Sequence, residues 1–339
     1  MSRALLRFCA VLLVLCALFC CFGCGGRKSE DNGRITILCT MFPQYDWLRE
    51  IIGDSEKIEL SLIIQNGTDP HSYEPTAADI LAISKADMIV YLGGESDRWV
   101  SEALERSDNK DIVRVELSKC EGVELHNISS ASEGHSHGGH GHEHHDHEGH
   151  NHGTLDEHIW LSLNNAKAAC KALAEEVSAL DEDGAETYAE NAKKYIERLD
   201  ALDGEYKKAV ESIAQEERFL LFCDRFPFVY LLEDYGIEYA AAFEGCSADA
   251  DADFETVLRL IKEAEAHSLS AVAVTESSDR ALAMTVLSSS RQGGGEIIVF
   301  NSLQSVNKKQ IAEGISYLSV MEDNLKALKK ALGTGEQEK

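Results

Sequence analysis

Residues 164–213 read NNAKAACKALAEEVSALDEDGAETYAENAKKYIERLDALDGEYKKAVESI, and this stretch decides the fold. It is built almost continuously from Ala, Leu, Glu and Lys, which favour helix, with one interruption near Asp183-Gly184. The sequence on either side has a different rhythm. Before it, short apolar runs at 34–40, 58–64 and 88–92 alternate with helix-like stretches at 45–52, 77–85 and 99–106. After it, apolar runs at 219–222, 271–274 and 297–300 alternate with helix-like stretches at 254–266 and 280–289, and 311–332 reads as a closing amphipathic helix. Short strands alternating with helices predict parallel sheets. The expected class is therefore α/β, with lobes at 34–163 and 214–339 and a central helical segment at 164–213.

The chain has 339 residues, is 44% hydrophobic and 27% charged, and is long enough for two cores. Acidic residues outnumber basic ones 59 to 32, giving a formal charge of -27. Sequence-blind binding of nucleic acid needs a basic surface, so no nucleic-acid partner is expected. A cationic ligand is compatible with this balance.

Residues 1–23 begin with Arg3 and Arg7 and continue through Leu5, Leu6, Val11, Leu12, Leu13, Val14, Leu15, Leu18 and Phe19, the layout of a signal peptide. Gly23 precedes Cys24-Gly25-Gly26, which resembles the acylation site of bacterial lipoproteins. That resemblance implies an exported chain lipidated on Cys24, with 24–33 as its linker, held to a membrane by lipid at the periplasmic or outer cell surface. Of the 10 Cys, five belong to the leader or its acylation site. The others (Cys39, Cys120, Cys170, Cys223, Cys246) are odd in number and irregularly spaced, which is neither a disulfide framework nor a zinc ribbon.

Nine of the 13 His fall between residues 135 and 152: His135, His137, His140, His142, His144, His145, His147, His150 and His152. Imidazole is the commonest metal ligand and suits Zn, Cu, Ni and Co, so this tract is expected to be a mobile loop that captures or senses metal. The H-E-x-x-H spacing of metalloproteases is absent, because the second His would fall on Asp146 or Asn151. Two other His stand in distinctive phrases. His71 lies in Gly67-Thr68-Asp69-Pro70-His71-Ser72-Tyr73-Glu74-Pro75, a polar loop after an expected strand, where α/β folds place ligand residues. His158 lies in Asp156-Glu157-His158-Ile159-Trp160-Leu161, with acidic neighbours able to orient its ring. Taken singly, the first also reads as a surface His and the second as a packing His beside Trp160.

The order of these phrases, followed by Asp224-Arg225-Phe226-Pro227-Phe228 and Tyr235-Gly236-Ile237, resembles the zinc/manganese solute-binding proteins of ABC transporters over about residues 34–333. Tyr91-Leu92-Gly93-Gly94-Glu95 and Val274-Thr275-Glu276 extend the resemblance. It implies two α/β lobes joined by one long helix, a metal in the cleft between them, and delivery to a membrane permease. His71 and His158 match the family's first two ligands. The third position falls on Cys223 beside Asp224, of which Asp224 is preferred because it is already anionic at neutral pH. The fourth falls on Asn301, with Glu276 or a water to complete the shell. A zinc ion, or manganese, is the expected cargo.

The expected protein is thus not an enzyme but an extracytoplasmic binder that captures a divalent transition metal for an ABC permease. Its affinity should fall as pH drops through the histidine range, since neutral imidazoles are required. Two other classes share part of the signal: an exported zinc-dependent hydrolase with Glu276 or Glu95 as base, and a lipoprotein for cell adhesion or metal storage in which the His-rich loop alone matters.

Overall fold

The structure, a computed structural model, describes residues 33–126, 156–244, 252–291 and 293–334. The expected leader, Cys24, the His-rich stretch 135–152 and Cys246 lie outside the described residues.

The first lobe comprises β1 (Ile35–Cys39), α1 (Phe42–Ile52), β2 (Ile58–Leu62), α2 (Ala77–Ile83), β3 (Met88–Tyr91), α3 (Arg98–Arg106) and β4 (Val113–Glu116). Its sheet has the order β2-β1-β3-β4 and is parallel throughout. Then come two helices, α4 (Leu163–Leu180) and α5 (Ala185–Glu211). The second lobe comprises β5 (Phe219–Phe226), α6 (Val229–Asp234), β6 (Glu238–Glu244), α7 (Phe254–Ala266), β7 (Ala271–Thr275), α8 (Ala281–Ser289), β8 (Glu296–Phe300), α9 (Lys308–Ala312) and α10 (Tyr317–Ala331). Its sheet repeats the first one's order, β6-β5-β7-β8, again parallel. In both sheets the order reverses beside a central strand, β1 or β5, and such switch points are where open parallel sheets bind ligands.

The helical stretch that divides the chain is a pair of helices packed on each other, broken by a single turn at Glu182–Gly184. The 27-residue α5 is about 40 Å long at 1.5 Å per residue and joins the lobes. Its stripe of Tyr188, Ala192, Tyr195, Leu199, Leu202 and Tyr206 recurs every three or four residues and is buried against α1 and α10.

The closing helix is also two. Gly314 at φ 90° interrupts it, and Ser316 then starts α10 by accepting the Ser319 N–H. Two edge strands lack the apolar runs that mark the others. Val113-Arg114-Val115-Glu116 is short and alternates, and Glu238-Tyr239-Ala240-Ala241-Ala242-Phe243-Glu244 is rich in Ala, so pairing with a neighbour rather than local preference makes them strands.

The largest core passes through both lobes. Ile37, Met88 and Val90 of the first sheet share it with Leu220, Phe222 and Phe300 of the second and with Leu173, Leu199, Tyr206 and Met321 of the helices. Each sheet's other face has a smaller core of its own. Among the described residues no helix is long and apolar enough to cross a membrane. The four described cysteines, Cys39, Cys120, Cys170 and Cys223, are free thiols.

Candidate metal centre

His71 is set by its own loop. Asp69 Oδ1 accepts the His71 N–H at 3.0 Å and so caps the short turn Pro70–Ser72, with Pro70 supplying the fixed φ for its start. The loop lies along the second lobe: Lys308 N donates to Gln65 O at 3.0 Å, and Asn66 bridges to Asn307. Gly67 permits this approach. Its φ is 72°, and a Cβ there would stand 3.4 Å from the Ser305 carbonyl.

His158 is buried, with 2% of its surface exposed. Asp156 Oδ1 lies 2.9 Å from its Nδ1 and accepts its main-chain N–H at 2.9 Å. A carboxylate on Nδ1 holds the ring proton there and makes Nε2 the acceptor nitrogen of the ring. Asp156 is itself held. Its N–H donates to His126 O at 2.9 Å, and its carbonyl accepts the Tyr230 hydroxyl at 2.7 Å. Trp160 fixes the other side: its ring meets His158 edge-on at 5.2 Å, its Nε1 donates to Ser302 O at 2.8 Å, and its carbonyl accepts the Tyr317 hydroxyl at 2.6 Å.

The two imidazoles meet. His71 Nε2 and His158 Nε2 are 3.4 Å apart. Two imidazoles on one tetrahedral zinc at about 2.0–2.1 Å place their nitrogens about 3.3 Å apart, so the observed spacing already fits one shared ion. Glu157 Oε2 stands 3.9 Å from His71 Nδ1, and that carboxylate is fixed by the Ser96 N–H at 3.1 Å and by the Ser96 hydroxyl. Asp97 is buried and receives the Leu92 N–H; burial first, and then the Glu157 charge, push its carboxyl up to about 7.

The other expected ligands have contacts of their own. Strand β5 carries one more residue than β6 between Phe222 and Arg225, a bulge at Cys223-Asp224. Cys223 is packed with Leu221, Val272 and Val274 in the outer core of the second lobe, and burial pushes its thiol up to about 12. A neutral core thiol does not supply the thiolate that ligation needs. Asp224 closes the ends of two strands: Oδ2 accepts the Thr275 hydroxyl at 2.5 Å and the Thr275 N–H at 3.2 Å, while Oδ1 accepts the Arg225 N–H at 2.8 Å. Glu276 accepts from Ser302 N at 2.9 Å and Ser302 Oγ at 2.7 Å. Asn301 Oδ1 accepts the Leu303 N–H at 2.8 Å. Among the described residues no group of three or more His, Cys, Asp or Glu side chains is placed to hold a metal ion. The structure thus brings His71 and His158 together and does not add Asp224, Glu276, Asn301 or Cys223 to them.

One residue that the sequence did not mark does join them. Gln304 Nε2 lies 3.0 Å from His158 Nε2. An amide three residues after Asn301 carries no signal by type, and only the docking of the 302–308 segment onto the His71 loop reveals it.

The family profile described as "Zinc-uptake complex component A periplasmic" matches residues 37–331. The chain is 33% identical over 320 residues to the zinc-binding lipoprotein AdcA of Streptococcus pneumoniae, covering 94% of this chain and 60% of that protein. It is 29% identical over 307 residues to the high-affinity zinc uptake system protein ZnuA of Bacillus subtilis, covering 91% and 90%. The crystal structure of the Zn(II)-bound ZnuA-like domain of Streptococcus pneumoniae AdcA superposes with a TM-score of 0.68 at 28% identity, covering 88% of this chain and 99% of that one. The chain spans only about 60% of the length of the AdcA protein it matches.

Proposed function

The chain belongs to the family of the periplasmic zinc-uptake component A, and from that premise we propose that it captures a zinc ion outside the membrane and delivers it to an ABC permease for import. The observation that carries the reading is the 3.4 Å approach of His71 Nε2 to His158 Nε2, with Asp156 behind the second ring. Two imidazole nitrogens 3.4 Å apart suit a borderline-soft cation such as zinc, with manganese as the harder alternative. The ion is cargo. No bond in a substrate is made or broken, and the protein's task is to bind tightly and then release.

His71 and His158 would hold the ion directly. The Gln304 amide, turned about its last torsion, would offer its oxygen in place of the nitrogen that now faces His158. Asp224 and Glu276 would keep the strand ends in place around the site rather than bind the ion. The leader and Cys24 support an exported protein tethered by lipid at the periplasmic or outer cell surface. The His-rich stretch 135–152 would raise the local metal concentration near His158, and it is not required for the principal site.

Metal content and affinity of the purified full-length chain test this reading. Wild type should bind one zinc tightly, His71→Ala and His158→Ala should each weaken it by more than the roughly 10–100-fold that loss of an outer partner costs, and deletion of 135–152 should retain it. Tight binding that survives loss of both His, or that disappears with the deletion, overturns it.

A further inference from the structure

We infer that Arg225 is a positioning residue of the metal site, acting through Asp69 on His71; this rests on the metal-binding reading above. Asp69 is shared between the lobes. Its Oδ1 accepts the His71 N–H at 3.0 Å, while its Oδ2 accepts from Arg225 NH1 at 2.6 Å. Asp69 stands on the loop after β2 in the first lobe, and Arg225 is near the carboxyl end of β5 in the second. The ion pair is only partly exposed, with 28% of the Arg225 side chain and 19% of the Asp69 side chain accessible, so solvent screens it less than a surface pair.

Arg225 is anchored in turn. It follows the β5 bulge, its N–H donates to Asp224 Oδ1 at 2.8 Å, and Asp224 Oδ2 takes the Thr275 hydroxyl at 2.5 Å. Its NH2 reaches Ser277 Oγ at 3.5 Å, and Ser277 Oγ meets Thr275 Oγ1 at 3.3 Å. A chain of side chains therefore runs from the ends of β5 and β7, across the junction, to the main chain of one metal-facing His. The guanidinium does not bind the ion, since it has no lone pair to offer. It fixes Asp69, and Asp69 fixes where His71 begins its turn, so the His71 ring is held opposite His158 only while the two lobes are joined at this point. Capture and release of the ion are thereby tied to the junction. Only a planar fork of donors reaches both Asp69 and Ser277, which Lys at this position would not reproduce.

The test uses the full-length chain with zinc alone as the probe, measuring the rate of zinc loss to a chelator and the visible spectrum of the Co(II)-loaded protein. Arg225→Gln should release zinc about 10-fold faster or more and shift the cobalt bands, with the unfolding temperature of the metal-free protein little changed. Arg225→Lys should give a smaller rise, recovering part of the effect. Asp69→Asn keeps an oxygen to cap His71 but loses the ion pair; it should match Arg225→Gln, and the double variant should be no faster than either alone. Wild-type release from Arg225→Gln, or rates that multiply in the double variant, overturn the assignment of Arg225 while leaving the metal reading intact, provided that wild type binds zinc and His71→Ala does not. A wild type that binds no zinc overturns both.

Discussion

Asp156 Oδ1 is shared between the main-chain N–H and the ring Nδ1 of His158, both at 2.9 Å. One oxygen thus fixes the backbone position and the tautomer of the same histidine, and the residue between them, Glu157, turns the other way to reach Ser96 and His71.

Replacing Asp156 should therefore weaken metal binding although its carboxylate faces Nδ1 and not the Nε2 proposed to hold the ion. Asp156→Asn keeps the shape and removes the charge that raises the basicity of the ring, and a 10–100-fold loss of zinc affinity is expected. Competition titration against a zinc chelator checks it, and affinity within about twofold of wild type would show that Trp160 alone orients the ring.

Gln304 offers a change in the opposite direction. Gln304→Glu places a carboxylate where the amide now stands 3.0 Å from His158 Nε2, and an anionic oxygen is a better zinc ligand than an amide. Affinity should rise, whereas Gln304→Leu should lower it. The same titration gives both values, and a Glu variant that binds more weakly than wild type would place the ion away from Gln304.

Asp97 makes a prediction about stability. Burial holds its folded carboxyl at about 7, above the ordinary carboxylate value near 3.9 of the unfolded chain. The sign follows from proton uptake: between these values the folded state keeps a proton that the unfolded state has lost, so this group's contribution is fully present below pH 3.9 and is lost as pH rises through 7. Asp97→Asn removes that dependence. The difference in unfolding free energy between variant and wild type should move in the variant's favour by a few kcal/mol from pH 4 to pH 8, as read by urea denaturation. A difference independent of pH would contradict it.

Tyr317 joins α10 to the segment that carries His158 through its hydroxyl on the Trp160 carbonyl at 2.6 Å, and its ring meets Trp47 edge-on at 5.2 Å. Tyr317→Phe keeps the ring contact and leaves a buried carbonyl unpaired, a loss of about 1–3 kcal/mol. Denaturant unfolding measures it, and because the same segment carries His158, zinc affinity should fall with it.

The sequence by itself determined the α/β class, the division by the helix-forming stretch, and His71 and His158 as the pair to watch. Each of these is written locally: apolar runs bury on both faces, Ala, Leu, Glu and Lys favour helix, and the two His stand in phrases of unusual composition. It did not determine β4 or β6, whose side chains lack a buried-strand pattern and whose backbone becomes strand only against a neighbour.

What surrounds the His pair was decided by tertiary structure alone. Asp224, Glu276 and Asn301 have ligand chemistry by type, and only the fold shows that they accept hydrogen bonds from Thr275, Ser302 and Leu303. Cys223 had a metal-binding atom, yet strand alternation before the bulge sends it into the outer core with Leu221. Gln304 and Arg225 carried no such mark, and they reach the site because segments far apart in the chain are folded onto the His71 loop. Residue type limits which groups can act as ligands, but where a side chain points depends on strand register, turn geometry and the segments that fold against it.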